Sequence, residues 1–499
     1  MITALLKSLF LLRLVLSFVD PAGEPPVTPR EFRGAWLATL DNIDWPSART
    51  LSTAEQRAEI RRILDAAVDL KLNAVILQVR SAADAIYASQ LEPWSIVLSG
   101  KQDQQPDPAW DPLVAWIEES HQRGIELHAW LNPCRAHVGA KPPGPTHISK
   151  TRPELVVQYD RFIWFDPGLP AAVEHILRVF EDVVRRYDID GIHVDDYFYP
   201  YPVERSGRTL PFPDDDSWGT YVANGGQLSR DDWRRSNVHS LVRRIHEQTR
   251  RLKPGIRFGI SPFGISRPGV APGITGFDQF TGIYADPVHW LREGWCDYLA
   301  PQLYWPIDQK AQSFPVLLQT WQRDNPRGIP IWPGLFTSRI GAPEKSWGPD
   351  EIVRQIQVCR DQSPLSGQIH FSFRTLLQNR EGVSARLKSS VYSKPAVVPR
   401  VSRPPQPPPP PPRLKWRPVG NQVELETAGS GSASSPTALR SIVAWSFDGQ
   451  GWKLSLQPAS RSIIPVASEA RRLFVSVVDR WGQESERSAV EIPTGRSED

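Results

Sequence analysis

Asp190-Gly-Ile-His-Val-Asp-Asp-Tyr-Phe-Tyr-Pro-Tyr-Pro202 decides the reading of this chain. A short apolar strand, carried by Ile192 and Val194, runs directly into two adjacent carboxylates, Asp195 and Asp196, and then into a dense aromatic loop. Helix-like segments stand on either side. In α/β proteins the carboxyl end of a strand is where catalytic groups sit. Acids beside aromatic rings suit a sugar-cleaving site, which needs a proton donor or nucleophile and flat faces for pyranose rings.

Working outward, strand and helix alternate eight times between about Phe32 and Leu377. The strands read Arg33–Leu40, Asn73–Arg80, Ile125–Asn132, Gly191–Asp195, Ile256–Ser261, Tyr298–Tyr304, Ile329–Phe336 and Gln368–Phe373. Helical periodicity marks Glu55–Leu70, Pro112–Arg123, Ala171–Tyr187, Asp231–Leu252 and Asp350–Asp361, with shorter helices at Pro287–Glu293 and Phe314–Arg323. Eight such units predict an α/β fold of the closed (β/α)8 TIM-barrel type over residues 31–390. The helix-to-strand turns are terse, whereas the strand-to-helix loops Ser81–Asp111, Pro133–Leu169 and Tyr197–Arg230 are long. Only the carboxyl-terminal face is elaborated, and long loops in compact domains are usually functional.

Side chains two apart share a strand face. The inward sets turn polar towards the carboxyl ends: Gln78 and Arg80; His128, Trp130 and Asn132; His193, Asp195 and Tyr197; Ser261; Gln302 and Tyr304; His370, Ser372 and Arg374. Six strands placing polar groups at one level predict a polar pocket capping the barrel core, since lone buried polar groups are costly.

The bulk composition narrows the classes. The chain has 499 residues, a net charge of +3 and 19 Trp. That length predicts two domains. Balanced charge without a basic block argues against nucleic acid as a partner. Cys134, Cys296 and Cys359 show no metal-ligand pattern and cannot all pair, so neither a disulfide framework nor a metal site is expected. No phosphate loop or dinucleotide fingerprint is present, and no cofactor is implied. Residues 1–23 carry an apolar run from Ser8 to Val19, broken only by Arg13, the length of a signal-peptide core and too short to span a bilayer. Export to a periplasmic or extracellular location is the expectation.

Composition changes after Lys394. Residues 395–413 include Pro-Pro-Gln-Pro-Pro-Pro-Pro-Pro-Pro and predict an extended proline-rich linker. Residues 414–494 show short alternating strands, with a hairpin around Asp448-Gly449, and predict a small all-β sandwich.

Glu31-Phe-Arg-Gly-Ala-Trp-Leu-Ala-Thr-Leu40 with Asp44-Trp-Pro46, His128-Ala-Trp-Leu-Asn-Pro133, Asp190-Gly-Ile-His-Val-Asp-Asp-Tyr-Phe-Tyr-Pro200 and Tyr298-Leu-Ala-Pro-Gln-Leu-Tyr-Trp-Pro306 together resemble the glycosyl-hydrolase-like family 10 proteins. That family includes bacterial cell-division-associated hydrolases of peptide-stripped peptidoglycan glycans. The resemblance spans about Glu31 to Leu377 and implies an exported (β/α)8 glycosidase. The tail, with Val475-Ser-Val-Val-Asp-Arg-Trp-Gly-Gln-Glu-Ser485, resembles a fibronectin type III module, which implies spacing or peripheral docking to the envelope. The fourth strand is also similar to the Asp-Gly-x-Asp-x-Asp-x-Glu strand of chitinase-type barrels. It departs from that pattern at His193, in place of an Asp, and at Tyr197, in place of the catalytic Glu.

Asp195 is the first candidate for catalysis, because alternation points it into the pocket. Asp196 and Glu204 are the further catalytic candidates, with Asp41, Asp44 and Asp166 as other acids near the mouth. Arg80, His128, Asn132, Gln302 and Tyr304 suit recognition of hydroxyl or acetamido groups. Trp130 and His193 complete the inward binding set. Tyr197, Tyr199, Tyr201, Trp218, Trp305 and Trp332 offer stacking faces. The reading is an exported glycoside hydrolase acting on a polysaccharide, cell-wall peptidoglycan strands or a related amino-sugar polymer. A catalytically inactive glycan-binding envelope scaffold is the alternative, and an unrelated exopolysaccharide is a third substrate class.

Overall fold

The protein is described by a computed structural model covering residues 23–139, 142–363, 365–400, 407–426 and 438–493. The apolar run of residues 1–23 lies almost wholly outside the described residues. Eight parallel strands form the centre: β1 (Phe32–Leu37), β2 (Ala74–Arg80), β3 (Glu126–Leu131), β4 (Gly191–Val194), β5 (Arg257–Ile260), β6 (Tyr298–Leu299), β7 (Gly334–Leu335) and β8 (Gly367–His370). Their hydrogen-bonded order is β6-β5-β4-β3-β2-β1-β8-β7. Parallel bridges from Leu299 to Ile331 and from Gln302 to Gly334 join the two ends and close the ring.

All eight strands fall where the alternation predicts, but several stop earlier. The segments after Leu299 and before Gly334 pair through isolated bridges instead of ladders, because the prolines at 301, 330 and 333 interrupt them by lacking an N–H.

Helices cover the outside. α1 (Thr53–Asp69) begins at a reciprocal capping box between Ser52 and Glu55, which satisfies two otherwise orphan N–H donors. α2 (Pro112–His121) is capped by Asp111, α3 (Pro170–Arg186) opens on a proline, and α4 (Arg230–Leu252) is capped by Ser229. α5 (Pro287–Glu293), α6 (Phe314–Arg323), α7 (Pro349–Gln362) and α8 (Val383–Ser389) complete the layer.

Two cores result. The larger lies between strands and helices; the smaller fills the barrel and contains Phe32, Trp36, Trp130, Tyr298 and Trp332. Glycine makes room for the interior rings. A Cβ at Gly259 would stand 1.9 Å from the Tyr298 ring, and one at Gly191 would stand 2.6 Å from His128.

The C-terminal region forms a three-stranded sheet of β9 (Arg413–Arg417), β10 (Gln422–Glu426) and β13 (Ile463–Pro465). Facing it is a four-stranded sheet of β11 (Leu439–Phe447), β12 (Trp452–Pro458), β14 (Arg472–Asp479) and β15 (Ser488–Glu491). Val423, Ile442, Ile464 and Val475 from both sheets share one core. The Asp448 carboxylate accepts the N–H groups of Gln450 and Gly451 and shapes the β11–β12 turn.

The linker expectation needs correction at its start. Ala396, Val397 and Val398 are buried, and Val397 exchanges backbone hydrogen bonds with Pro29 and Glu31. The first part of the 395–413 stretch is thus seated against the barrel because its apolar residues are not proline. The β-sandwich is docked too. Arg480 pairs with Asp188 at 2.6 Å and Asp190 at 3.2 Å, and Arg30 pairs with Glu484 at 3.0 Å.

Candidate active site

A cavity of about 220 Å³ opens at the carboxyl-terminal mouth of the barrel. Its wall takes Trp36 and Ala38 from the end of β1, Gln78 from β2, Trp130 from β3, and Asp195 and Tyr197 from just beyond β4. Ser261, Gln302, Tyr304 and Phe371 follow the later strands, and Arg135 enters from the long loop after β3. Among the described residues, Asp195 is the one carboxyl on this wall.

Asp195 Oδ1 accepts the Asp196 backbone N–H at 2.8 Å and Gln302 Nε2 at 3.2 Å. Gln302 is held in turn by donating to the Ser261 carbonyl at 3.1 Å. Asp196 lies behind Asp195, 2% exposed, and accepts the Tyr201 hydroxyl at 2.5 Å. The charge of each carboxyl is felt by the other. Burial raises the pKa of Asp195, opposed by the Asp196 N–H and the Arg135 charge. Burial, reinforced by the charge of Asp195, pushes Asp196 well above the usual carboxylate range. The pair therefore holds its last proton more tightly than separate carboxylates would, chiefly at Asp196, because two neighbouring charges cannot both ionise cheaply.

Arg135 is 8% exposed, its guanidinium 3.4 Å from the Tyr197 ring centroid. Its Nε is buried without a hydrogen-bond partner. The residue itself lines the cavity, so its charge is within reach of an acceptor oxygen of a ligand. Trp130 Nε1 donates to Asn132 Oδ1 at 2.8 Å, and Tyr304 stacks on Phe336 at 4.8 Å, so both walls are fixed.

Beneath the cavity runs a directed hydrogen-bond chain. Trp36 Nε1 can only donate, so His193 Nε2, 3.2 Å away, accepts. His193 Nδ1 then carries the proton and donates to Tyr298 Oη at 3.0 Å. The Tyr298 hydroxyl donates to His128 Nδ1 at 2.9 Å, and His128 Nε2 donates to Glu126 at 3.3 Å. Glu126 is balanced by Arg257 at 2.7 Å. Burial keeps both imidazoles below their ordinary pKa, hence neutral.

Of the residues singled out from sequence, Trp130, Asp195, Tyr197, Gln302 and Tyr304 are brought together at the cavity. The others are not. His128 and His193 face inward but lie one layer deeper, fully buried. Arg80, also fully buried, makes a two-pronged pair with Glu92 at 2.6 and 2.7 Å, away from the cavity. Asn132 is buried, donating to the Ser81 carbonyl at 3.1 Å, and reaches the cavity only through Trp130. Tyr199 packs against Phe212 and Tyr284 at 5.0 and 5.1 Å. Trp305 packs against Phe263 at 5.7 Å, and Trp332 stacks on Phe32 at 4.0 Å inside the barrel. Glu204 is exposed on a small hairpin and accepts from Thr209, so it does not swing into the site.

The remaining acids also have structural partners. Asp44 accepts from Ala38 N–H, Ser372 and Arg374 N–H, and Asp166 accepts from Ser217 and Gly168 N–H. Trp36, Arg135 and Phe371 were not among the sequence-derived site residues, and Gln78 and Ser261 had been placed in the polar pocket without a binding role. Gln78 and Ser261 carried the alternation signal. Trp36 sat in the quoted β1 motif, and Arg135 had only the length of its loop to mark it.

A (β/α)8 barrel with a carboxyl and aromatic rings at its carboxyl-terminal mouth defines a protein of the glycoside-hydrolase type. Residues 31–349 match the family described as Glycosyl hydrolase-like 10, and the chain belongs to that family. It is 39% identical over 383 residues to Glycosyl hydrolase YngK of Bacillus subtilis (strain 168), a match covering 74% of this chain and 74% of that protein. It is 32% identical over 387 residues to Glycosyl hydrolase DigH of Escherichia coli (strain K12), covering 70% of this chain and 86% of that protein. Among solved structures, the catalytic domain of a β-amylase from Paenibacillus polymyxa aligns with a TM-score of 0.48 at 12% identity, over 74% of this chain and 99% of that one.

Proposed function

We propose that the protein is an exported glycoside hydrolase of an N-acetylated amino-sugar polymer, with bacterial peptidoglycan glycan strands the favoured substrate. The observation that carries this reading is the Asp195–Asp196 pair. Two-carboxyl glycosidases hold their acids about 5–5.5 Å apart to retain configuration or about 6.5–9.5 Å apart to invert it. Asp195 and Asp196 are instead sequence neighbours joined by the Asp196 N–H to Asp195 Oδ1 bond at 2.8 Å and electrostatically coupled, and the wall around them offers no other carboxyl among the described residues. A nucleophile supplied by the substrate suits such a site, and a 2-acetamido group is one.

In this mechanism the proton held on the pair passes to the glycosidic oxygen through Asp195, the carboxyl that faces the cavity. The acetamido carbonyl oxygen attacks C1 as the C1–O bond breaks, giving a cyclic oxazolinium ion, which keeps its N–H, and the free alcohol end. Water then opens the ring, losing its proton to the Asp195 carboxylate and restoring the pair. The Arg135 charge on the wall suits an acceptor oxygen of the sugar, and Trp130 and Tyr304 suit its ring faces.

The β-sandwich is proposed as an envelope-docking or spacing module of fibronectin type III kind. The hydrolytic reading is tested by offering the same strands with their N-acetyl groups intact or removed. Oligosaccharide release from the acetylated strands alone supports it; equal release from both rejects substrate participation.

A further inference from the structure

A second cavity, of about 200 Å³, adjoins the first on the same mouth of the barrel. Leu40 lines both. Three loops form it: that after β1 with Asp41 and Arg49, that after β2 with Asp84 and Ser95, and that after β3 with His137. Asp84 is 5% exposed, yet among the described residues no arginine or lysine is hydrogen-bonded to it. It receives Ser81 Oγ at 3.3 Å and a bond from Ser95. Arg80, whose charge Asp84 feels, is spent on Glu92, and Arg49 on the same wall bonds Asn42 and Asp41.

Two neutral hydroxyls leave a carboxylate with acceptor capacity to spare. An anchor for the loop would be better served by a pairing cation or by neutral Asn. A carboxyl kept short of donors on a cavity wall fits a ligand rich in hydroxyl donors. His137 also lines a third cavity, with Lys150 and Arg161 on its wall, so the depression continues along the face.

We infer that the Asp84 cavity is a second sugar-binding subsite, contiguous with the Asp195 cavity through Leu40, so that the protein holds a stretch of polymer instead of a single terminal sugar. The inference rests on the glycosidase reading above. It assigns Asp84 the task of accepting hydroxyl hydrogen bonds from the neighbouring sugar, with His137 at the far rim.

The test uses the full-length protein carrying Asp195→Asn, so that binding is read without turnover. Calorimetric titration with β-1,4-linked N-acetylglucosamine oligomers, from the dimer to the hexamer, reports affinity against length. Affinity is expected to climb from dimer to tetramer, and adding Asp84→Ala to lower tetramer affinity about tenfold while leaving the dimer within about twofold. His137→Ala, at a half-buried rim position, is expected to show the same length-selective loss more weakly, and it serves if Asp84→Ala fails to fold. A loss equal at every length, or no loss at any, overturns the subsite while leaving the glycosidase reading standing. Absence of binding by every oligomer overturns both. A collapse of kcat on the shortest substrate in Asp84→Asn, with KM unchanged, would make Asp84 a second catalytic acid and overturns the inference.

Discussion

The Asp196 backbone N–H donates to Asp195 Oδ1 at 2.8 Å, so the chain turns at the end of β4 in a way that sets two acids against one another. Strict alternation would send their side chains to opposite faces. The strand ends at Val194, which lets both carboxyls lie at the mouth. Asp195 meets the cavity, and Asp196 is held behind it by Tyr201.

The pH dependence of turnover follows from this contact. Losing the last proton would leave two neighbouring charges, so the pair's last pKa is high and activity falls on the alkaline side as pH rises through it. Asp196→Asn removes the like charge and lowers the pKa of Asp195. The alkaline limb of the kcat profile is expected to move down by about one unit or more. An unmoved limb would show that the pair does not supply the proton.

Tyr298→Phe deletes the hydroxyl that both His193 and His128 use. Two buried ring nitrogens then lack partners, at about 1–3 kcal/mol each. The expected outcome is a loss of about 2–6 kcal/mol in denaturant unfolding. Tryptophan emission is expected to change as well, since Trp36 donates to His193. A variant as stable as wild type would refute the directed chain.

Alternation along the strands made the fold legible, and it also marked the correct face for Gln78, Trp130, Asp195, Ser261, Gln302 and Tyr304. It could not report depth. His128 and Trp130 share a face of β3, yet the first is sealed in the barrel and the second reaches the cavity. It also failed where register slips. An irregularity between Gln78 and Arg80 turns Arg80 out of the inward set and onto Glu92, twelve residues away on a loop. Arg135 was illegible for another reason. It returns to the cavity from a loop whose own small antiparallel sheet, Arg135–His137 against Phe162–Phe165, is built from distant residues.

Asp190, the first residue of the decisive stretch, serves assembly. It is 4% exposed, accepts the Leu127 N–H at 2.9 Å, lies 2.9 Å from His121 Nε2, and pairs with Arg480 and Arg440 of the β-sandwich. Removing one partner of a buried ion cluster costs about 3–5 kcal/mol. Asp190→Ala is expected to split thermal unfolding into two transitions in calorimetry. A single cooperative transition at the wild-type midpoint would contradict the docked arrangement.

Burial raises Asp44 to about 6, outweighing the donors from Ala38, Ser372 and Arg374. Its folded pKa thus exceeds the unfolded value of about 3.9. Its contribution is fully present below pH about 4 and is lost as pH rises through about 6. Wild type is expected to lose roughly 3 kcal/mol relative to Asp44→Asn across that window. Parallel stability curves for the two proteins would show that Asp44 titrates normally.

The central claim is that Asp195 delivers a proton to a glycosidic bond. Its most direct test is product release from purified glycan strands, stripped of peptides, by wild type and by Asp195→Asn. The account predicts soluble oligosaccharides from wild type and a loss of about a hundredfold or more in the variant, which still binds the strands. Release by both at similar rates would contradict the assignment of Asp195, and binding without release by either would make the barrel a glycan-holding scaffold.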